Sequence, residues 1–265
     1  MTRRLLPVIW ALFTCTAATA ADTPASIGDR VRGSGELRVC IWPDYYGISQ
    51  RNARTGQLSG MDIDLSAAFA ADLGVKLRHV DSSFATLVDD LLQHRCDVAM
   101  FAVGVTAQRQ RQLRFSRAYL ESDIYAVTTR SSRVVQQWQD LDKPGVRIAV
   151  QAGTFMEPVM AAELKRATLV VVRPPDTRER ELEAGRVDAF MTDYPYSRRL
   201  LDNADWARLV APPAPFNVLP YAYAVRPGDN AWLRTVDDFV VRIQRDGRLK
   251  AAAARHGLSA IVRTR

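Results

Sequence analysis

The amino-acid sequence predicts an α/β fold with two lobes, and two observations support that prediction. Apolar runs with strand character alternate with amphipathic runs of helical period, an order typical of parallel sheets with right-handed crossovers. The alternation occurs twice along the 265 residues, with an extended segment at each passage between the two sets. A chain of this length can also bury one large core, so a single doubly wound domain is the alternative. We favour two lobes because two similar sets flank a connection made of two segments.

The first strand–helix set begins near residue 36. Its first strand is ended by Pro43 and its first helix by Gly74, both residues that stop regular structure. Its last strand is apolar throughout, as a strand buried on both faces is expected to be. We expect strands at 37–42, 76–81 and 97–103, and helices at 62–74 and 84–94.

The second set repeats this order after residue 128. We expect strands at 146–151, 168–173 and 187–192, a helix from Thr154 and another over 177–185, and two closing helices over 229–246 and 247–256. Prolines at 212, 213 and 215 mark a loop before the last extended segment.

The extended segments near 124–129 and 219–226 are predicted to pair as hinge strands between the lobes. Each lobe is then a mostly parallel sheet flanked by helices. Lobe one is expected to be discontinuous, residues 36–123 plus 225–265, and lobe two to run over 128–220. Ligands in open α/β sheets bind beyond the carboxyl ends of strands, which places the site in the cleft between the lobes.

The first 20 residues are predicted to be a cleavable signal peptide. Arg3 and Arg4 precede a short apolar run, and a small-residue stretch ending at Ala20 follows it. The run is too short to span a bilayer, which takes ~20 residues. Attachment as a lipoprotein through Cys15 is the alternative. We expect a soluble protein exported to the periplasm.

Basic residues outnumber acidic ones but do not form a block. The chain has 36 Lys and Arg against 29 Asp and Glu, a net charge of +7 that falls to +5 when Arg3 and Arg4 leave with the signal peptide. Because the two signs are interspersed, we do not expect nucleic acid as a partner.

Two cysteines, Cys40 and Cys96, remain after the signal peptide. An exported protein works in an oxidising compartment, which permits a disulfide between them. Cys40 lies within the first strand and Cys96 begins a strand that we expect beside it, but their register need not bring the Cα atoms within ~4.4–6.8 Å. A disulfide and two buried thiols both stay open. Neither cysteine has a further Cys or a His at metal-ligand spacing, so no metal site is expected.

Residues 97–119 hold the most informative motif. A buried strand runs into Gly104, a helix start at Thr106 follows, and Arg109 stands one turn into that helix. Backbone N–H groups, a hydroxyl and a guanidinium that converge on one spot make a carboxylate site. The alternative is a surface arginine in an arginine-rich stretch. Together with the F-S-x-x-Y stretch at 115–119, the pattern resembles the extracellular solute-binding proteins of amino-acid importers, family 3.

This resemblance covers nearly the whole exported chain. It implies the two-lobed periplasmic-binding-protein fold of type II and roles for single residues. Arg109 would grip the α-carboxylate of a bound amino acid, and the rings of Tyr45 and Phe84 would sandwich its side chain. Trp42 stands where an acidic residue often reads basic side chains, and Gly104 stands where a Ser is frequent. The loss of the acidic residue implies a neutral or apolar ligand in preference to Lys or Arg.

The second lobe supplies two further segments of the resemblance. Gly153 and Thr154 follow a strand, so their N–H groups are expected to face the cleft, as in the family's G-T-T or G-S-T turn. Phe155 stands where a second hydroxyl is common, which implies a pocket with more aromatic surface. Asp193 directly follows a buried strand and matches the family's carboxylate that pairs with the α-ammonium. A helix N-cap is its alternative role.

We therefore expect a monomeric binding protein that captures an amino acid-like solute and presents it to an inner-membrane ABC permease. No catalytic residue and no cofactor are expected, because the chain has no serine elbow and no phosphate loop. Three alternatives stay open: a receptor for a membrane sensor, a substrate-binding-like protein of a quinoprotein dehydrogenase, and a cyclohexadienyl dehydratase, which shares this fold.

A dehydratase needs a carboxylic acid in the cleft to protonate a leaving hydroxyl. The dehydratases carry a Glu shortly after the T-D pair, where this chain has Tyr194-Pro195-Tyr196. Glu121 and Glu157 are the candidate substitutes, and nothing in the sequence favours either.

Overall fold

The computed structural model of the chain describes residues 26–263. The expected signal peptide at 1–20 and the alternative lipid site at Cys15 lie outside the described residues. The strands are β1 Glu36–Ile41, β2 Asp44–Tyr45, β3 Ser49–Arg51, β4 Leu58–Ser59, β5 Lys76–Asp81, β6 Val98–Gly104, β7 Arg114–Phe115, β8 Leu120–Ser122, β9 Ile124–Thr129, β10 Arg147–Gln151, β11 Thr168–Val172, β12 Ala189–Asp193, β13 Ala207–Val210 and β14 Leu219–Val225. The helices are α1 Ile27–Ser34, α2 Met61–Leu73, α3 Leu87–Leu92, α4 Ala107–Gln110, α5 Met156–Glu163, α6 Arg178–Glu183, α7 Tyr194–Leu201, α8 Asn230–Asp246 and α9 Arg248–Arg255.

The first large sheet has the strand order β5-β1-β6-β14-β7, with β8 added to β14. β1 lies parallel to β5 and β6, whereas β14 runs antiparallel to β6, β7 and β8. Every residue of β6 is buried, since α2 and α3 pack on it and strands lie on both of its sides. Its wholly apolar sequence is what such a position requires.

The second large sheet has the order β11-β10-β12-β9-β13. β10 lies parallel to β11 and β12, and β9 runs antiparallel to β12 and β13. α5 and α6 pack against β10. Both sheets thus contain three parallel strands extended by antiparallel ones. The two-lobed α/β fold is confirmed, with sheets that are mixed because the chain returns antiparallel at each passage between them.

The prediction that the two extended segments pair with each other was wrong. The segment 124–129 is β9 and pairs inside the second sheet, whereas β14 pairs inside the first. Each segment satisfies its backbone groups by extending a sheet instead of forming a separate hairpin. The chain passes between the sheets at Asp123 and through the loop 211–218. The Asp123 carboxylate accepts two successive N–H groups of that loop, at 2.8 and 2.7 Å, and so ties the two passages together.

The two sheets share one structural device. An R-x-D motif precedes β6, and a second one precedes β12. Asp97 of the first motif accepts the backbone N–H and the guanidinium of Arg38 in β1. Asp188 of the second accepts the same two groups of Arg147 in β10. Each aspartate therefore fixes the position of its strand against the parallel neighbour.

Cys40 and Cys96 form a disulfide, with their Cα atoms 5.6 Å apart. The question that the sequence left open is thus decided in favour of the disulfide. It links β1 to Cys96, two residues before β6, and these strands are neighbours in the sheet as expected. Both cysteines are buried.

Several elements differ from the sequence-based expectations. The helix expected over 84–94 covers only Leu87–Leu92, which leaves Phe84 in the turn before it. The helix α7, which has Pro195 in its first turn, was not predicted, although proline suits that position. The small antiparallel sheet β2-β3-β4 was also missed, because strands of two or three residues are too short to display a period.

Among residues 26–263 no helix is long and apolar enough to cross a membrane. Within the same residues, no three or more His, Cys, Asp or Glu side chains form a group that could hold a metal ion.

Candidate functional site

A small pocket with a cavity volume of about 20 Å³, which we call the inner pocket, lies between the two large sheets. This volume holds about one water molecule, so a larger ligand group could enter only if the surrounding side chains moved. Six of the predicted site residues line it: Trp42, Tyr45, Phe84, Thr154, Phe155 and Asp193. Six residues that sequence reasoning did not single out complete the lining: Ala102, Met156, Arg178, Thr192, Tyr196 and Tyr221.

A larger outer hollow adjoins the inner pocket and shares the walls Phe84, Thr154 and Phe155 with it. The predicted site residues Thr106, Arg109 and Gly153 line this hollow and not the inner pocket. The predicted residues therefore lie on both sides of the wall that Phe84, Thr154 and Phe155 form between the inner pocket and the outer hollow.

Gly104 lines neither space, but it supports Arg109. Its carbonyl oxygen accepts a hydrogen bond from Arg109 Nη1 at 3.0 Å. A Cβ atom on Gly104 would stand 2.6 Å from Leu219 Cδ2. The frequent serine of the family would therefore force the Leu219 side chain to move.

Three aromatic rings form one side of the inner pocket. The ring centroid of Trp42 lies 5.3 Å from that of Tyr45 and 5.2 Å from that of Phe84, and those of Tyr45 and Phe84 lie 5.7 Å apart. Such spacing is typical of favourable tilted and edge-to-face pairs. On the opposite side, Tyr196 stacks on Trp42 with the rings 11° from parallel.

Arg109 is a buried cation held by neutral groups. Thr106 caps the short helix α4 by accepting the Arg109 N–H at 3.2 Å, which positions the residue at the end of β6. Its Nη2 donates to the carbonyl of Gly153 at 3.0 Å, across the cleft. Only 7% of the residue is exposed, and burial lowers the pKa of its guanidinium to about 10. The guanidinium also lies over the ring of Phe84, 5.3 Å from the centroid.

Asp193 stands at the end of β12 and is the N-cap of α7, where its carboxylate accepts the Tyr196 N–H at 3.2 Å. The hydroxyls of Tyr45 and Tyr221 also donate to it, the latter at 2.7 Å. Burial raises the pKa of this carboxyl, and the three hydrogen bonds oppose the shift. The N-cap role considered for Asp193 from sequence is therefore observed, and the same residue also lines the inner pocket.

The loop after β10 differs from its prediction. The N–H of Gly153 donates to the Glu157 carboxylate at 2.8 Å, and the N–H of Thr154 donates to the Gln151 carbonyl at 3.2 Å. The expectation that both N–H groups face the cleft was wrong, because the loop satisfies them internally. Gly153 has φ +74°, and a Cβ atom there would stand 2.6 Å from the backbone of Ala85. Only glycine allows the loops of the two sheets to approach so closely.

Ala102 borders the inner pocket with an unusual backbone. Its φ is +49° in the middle of β6, a conformation that few residues other than glycine adopt. The Asp62 carboxylate accepts its N–H at 2.9 Å and is itself held by the hydroxyls of Tyr119 at 2.6 Å and Tyr223 at 3.0 Å. Asp62, left out of the predicted site as structural, supports the pocket wall from behind.

Arg178, Thr192 and Tyr221 are the main site residues that sequence reasoning missed. Tyr221 carried a signal, because Tyr221 and Tyr223 alternate in β14 and so share one face of the sheet. Arg178 carried none: it is the first residue of α6 in a charged stretch, yet it is only 3% exposed. Its Nη1 donates to the Met191 carbonyl at 2.7 Å, and its guanidinium packs over the Tyr196 ring, 4.6 Å from the centroid.

The two mixed sheets face each other across a pocket with aromatic walls, buried arginines and a buried carboxylate. The chain passes between them twice, at Asp123 and through the loop 211–218. These features define a two-lobed binding protein for a small charged solute. The chain belongs to the bacterial extracellular solute-binding proteins, family 3, whose sequence profile matches residues 37–259.

The chain is similar to two groups of characterised proteins. It is 32% identical over 235 residues to the cyclohexadienyl dehydratase of Pseudomonas aeruginosa, covering 88% of this chain and 87% of that protein. It is 24% identical over 223 residues to the L-cystine-binding protein TcyJ of Escherichia coli K12, covering 84% of this chain and 83% of that protein. Among solved structures, it superimposes with a TM-score of 0.78 and 28% identity on the ancestral amino acid-binding protein AncCDT-1, a precursor of cyclohexadienyl dehydratase, over 87% of this chain and 99% of that one.

Proposed function

We propose that this protein binds a small amino acid-like solute by its α-carboxylate and α-ammonium groups in the cleft between the sheets. The observation that supports this most directly is the burial of Arg109, which is 7% exposed and bonded to the carbonyls of Gly104 and Gly153. A buried guanidinium surrounded by neutral groups keeps an uncompensated charge, and a ligand carboxylate would compensate it through two parallel hydrogen bonds. Asp193 offers the opposite charge to the ligand's ammonium from the adjoining pocket.

Closure of two lobes over the ligand is the second part of the proposal. Residues 36–123 plus 225–265 would form one lobe and residues 128–220 the other. Hydrogen bonds already join opposite sides of the cleft, among them those from Tyr45 and Tyr221 to Asp193 and from Arg109 to the Gly153 carbonyl. A ligand that contacts both sides adds to these bonds, and it favours the closed form by its difference in affinity for the two forms.

Delivery to a transporter completes the proposed role. The protein would be an exported monomer of the periplasm that hands its ligand to an inner-membrane ABC permease. Relatives named as an L-cystine-binding protein and as an ABC transporter glutamine-binding protein support a role in transport. A receptor that presents the same closed form to a membrane sensor would have the same cleft. Cells that lack the gene would separate the two roles, because only loss of an importer abolishes uptake of the labelled ligand.

Cyclohexadienyl dehydratase activity is the second candidate, because of the 32% identity to the Pseudomonas enzyme. The carboxylates available to act as an acid argue against it. Glu157 lines the outer hollow and is bonded to the Gly153 N–H, and Glu121 pairs with Arg263 at the surface. The carboxyl on the inner pocket, Asp193, already accepts three hydrogen bonds, whose donors compete with a proton for its oxygen lone pairs. We expect no turnover in a cyclohexadienyl dehydratase assay in which the Pseudomonas enzyme is the positive control.

Removal of the Arg109 guanidinium tests the binding function. Arg109→Ala should abolish ligand binding in calorimetry, because loss of a buried charge pair costs ~2–5 kcal/mol. Arg111→Ala, which changes an exposed arginine two residues away, is the matched control and should bind as wild type does. Binding by Arg109→Ala within threefold of wild type would refute the assignment.

A further inference from the structure

The described part of the chain buries two cations, Arg109 and Arg178, at 7% and 3% exposure. The ion pairs among residues 26–263 include neither of them. Buried charges in proteins are normally paired, since an unpaired one loses its hydration without compensation. Burial raises the pKa of Asp193, and the positive charge of Arg178 helps to lower it. The proposed function gives that carboxylate to the ligand's ammonium, however, so Arg178 has no carboxylate of its own.

Arg178 also has an unused donor on the inner pocket. Its Nη1 is bonded to the Met191 carbonyl, but its Nε is buried and has no hydrogen-bond partner. The hydroxyl of Thr192, 1% exposed and on the same pocket, is likewise buried without a partner. Most buried polar atoms are hydrogen-bonded, so two orphaned ones on one small pocket indicate a missing acceptor.

We propose that the ligand carries a second carboxylate, bound by Arg178 and Thr192 in the inner pocket, and is therefore an acidic amino acid. This inference rests on the proposed function and adds the substrate class. Arg109 takes the α-carboxylate, Asp193 takes the α-ammonium, and Arg178 with Thr192 takes the carboxylate of the side chain.

The charges of the cleft support this assignment over the alternatives. Two arginines and one aspartate carry a net charge of +1 when ionised, which an acidic amino acid neutralises and a neutral one leaves in place. A cationic side chain would meet Arg178 in the inner pocket. Asp44 and Glu179 do not line the inner pocket: they line an adjoining groove that shares Trp42, Arg178 and Tyr196 with it, and Glu179 is bonded to the Tyr196 hydroxyl.

Calorimetry with the purified protein provides the first part of the test. The probes are L-glutamate and L-aspartate, their isosteric amides L-glutamine and L-asparagine, and L-leucine and L-arginine. We expect one acidic amino acid to bind at least about tenfold tighter than its amide, because charge-assisted hydrogen bonds are roughly twice as strong as neutral ones.

Variants provide the second part and separate recognition from packing. Arg178→Met keeps an unbranched apolar stem against Tyr196 and should weaken binding of the acidic ligand by about tenfold or more, with less than threefold effect on the amide. Thr192→Val removes the hydroxyl at nearly constant volume and should act in the same direction. Arg180→Met, an exposed arginine of the same helix, is the control and should leave both affinities unchanged. Thermal melting shows whether each variant is folded.

The outcomes distinguish this inference from the proposed function. Tighter binding of leucine, of an amide or of arginine than of either acidic amino acid would overturn the inference and leave amino-acid binding intact. Equal losses of the acid and the amide in folded Arg178→Met would make Arg178 a packing residue and overturn it as well. If Arg178→Met does not fold, the wild-type selectivity and Thr192→Val decide. If none of the six amino acids binds, both the inference and the proposed function fail.

Discussion

The buried carboxyl of Asp62 makes a strong prediction about stability and pH. The residue is fully buried behind the inner pocket, and burial raises its pKa from 3.8 to about 6 against the effect of its three hydrogen bonds. Between these two pH values the folded protein holds a proton that the unfolded chain has released. The unfolded state then binds fewer protons than the native state, so stability falls as the pH rises from about 4 to 6.

The size of this effect follows from the shift. Two pKa units correspond to about 3 kcal/mol, at 1.36 kcal/mol per unit. The penalty is absent below pH 4 and fully present above pH 6. Asp62→Asn removes the titrating group and keeps the hydrogen-bond geometry, since the amide oxygen can accept from Ala102 and Tyr119 while the NH₂ donates to the Tyr223 hydroxyl.

Urea unfolding followed by tryptophan fluorescence at pH 4, 5, 6 and 7 measures this. The free energy of unfolding of Asp62→Asn relative to wild type should rise by about 3 kcal/mol from pH 4 to pH 7 and then stay level. Asp89→Asn, at an exposed position of α3, is the control and should follow the wild-type curve at a constant offset. A constant difference between Asp62→Asn and wild type across the whole range would refute the reasoning.

Three further predictions concern the cleft and the core. Gly153→Ala should weaken ligand binding about tenfold or more, because the new Cβ atom meets backbone across the cleft, and it should enlarge the ligand-bound radius of gyration in small-angle scattering. Gly185→Ala is the control: its φ of +66° gives similar backbone strain, but the space around it is open, so ligand binding should be unchanged. Replacing Cys40 and Cys96 by Ala removes a crosslink over a separation of 56 residues, and should lower the free energy of unfolding in urea by ~4 kcal/mol; an unchanged midpoint would contradict this. Asp193→Asn should weaken binding of an amino acid in calorimetry far more than binding of the corresponding acid without the amine, and equal losses would remove the residue from ammonium recognition.

The sequence predicted well those elements whose own residue types indicate whether they are buried or where they end. β6 and β12 are completely buried, and the apolar residues of both strands indicate this in the sequence. Turn residues such as Gly74 stand where the pattern predicts an end. The bounds of both strands were accordingly predicted to within two residues. β9 and β14 were recognised as extended segments, but which sheet each joins depends on the return path of the chain, and no local pattern encodes that.

The candidate site likewise has residues that could be predicted from local sequence and residues that could not. Thr106, Arg109 and Asp193 were found because they directly follow buried strands, which places them at the cleft. Arg178 was not found because its burial is produced by Tyr196 and Phe190, residues that follow it on other elements of the lobe. The N–H of Gly153 was assigned wrongly because Glu157, four residues on, competes for it.

In the proposed closure, the tie at Asp123 would determine which cleft contacts move. Ile124, next to the tie, is the strand partner of Asp193, and Tyr221 lies beside Leu120, a residue of β8 just before the tie. The bond between Asp193 and Tyr221 would therefore lie close to the rotation axis, where atoms are displaced least. Gly153 follows β10, two strands and about 10 Å away from β9. We therefore expect the carboxylate to be preassembled in the open protein, while the approach of Gly153 to Ala85 forms as the cleft shuts.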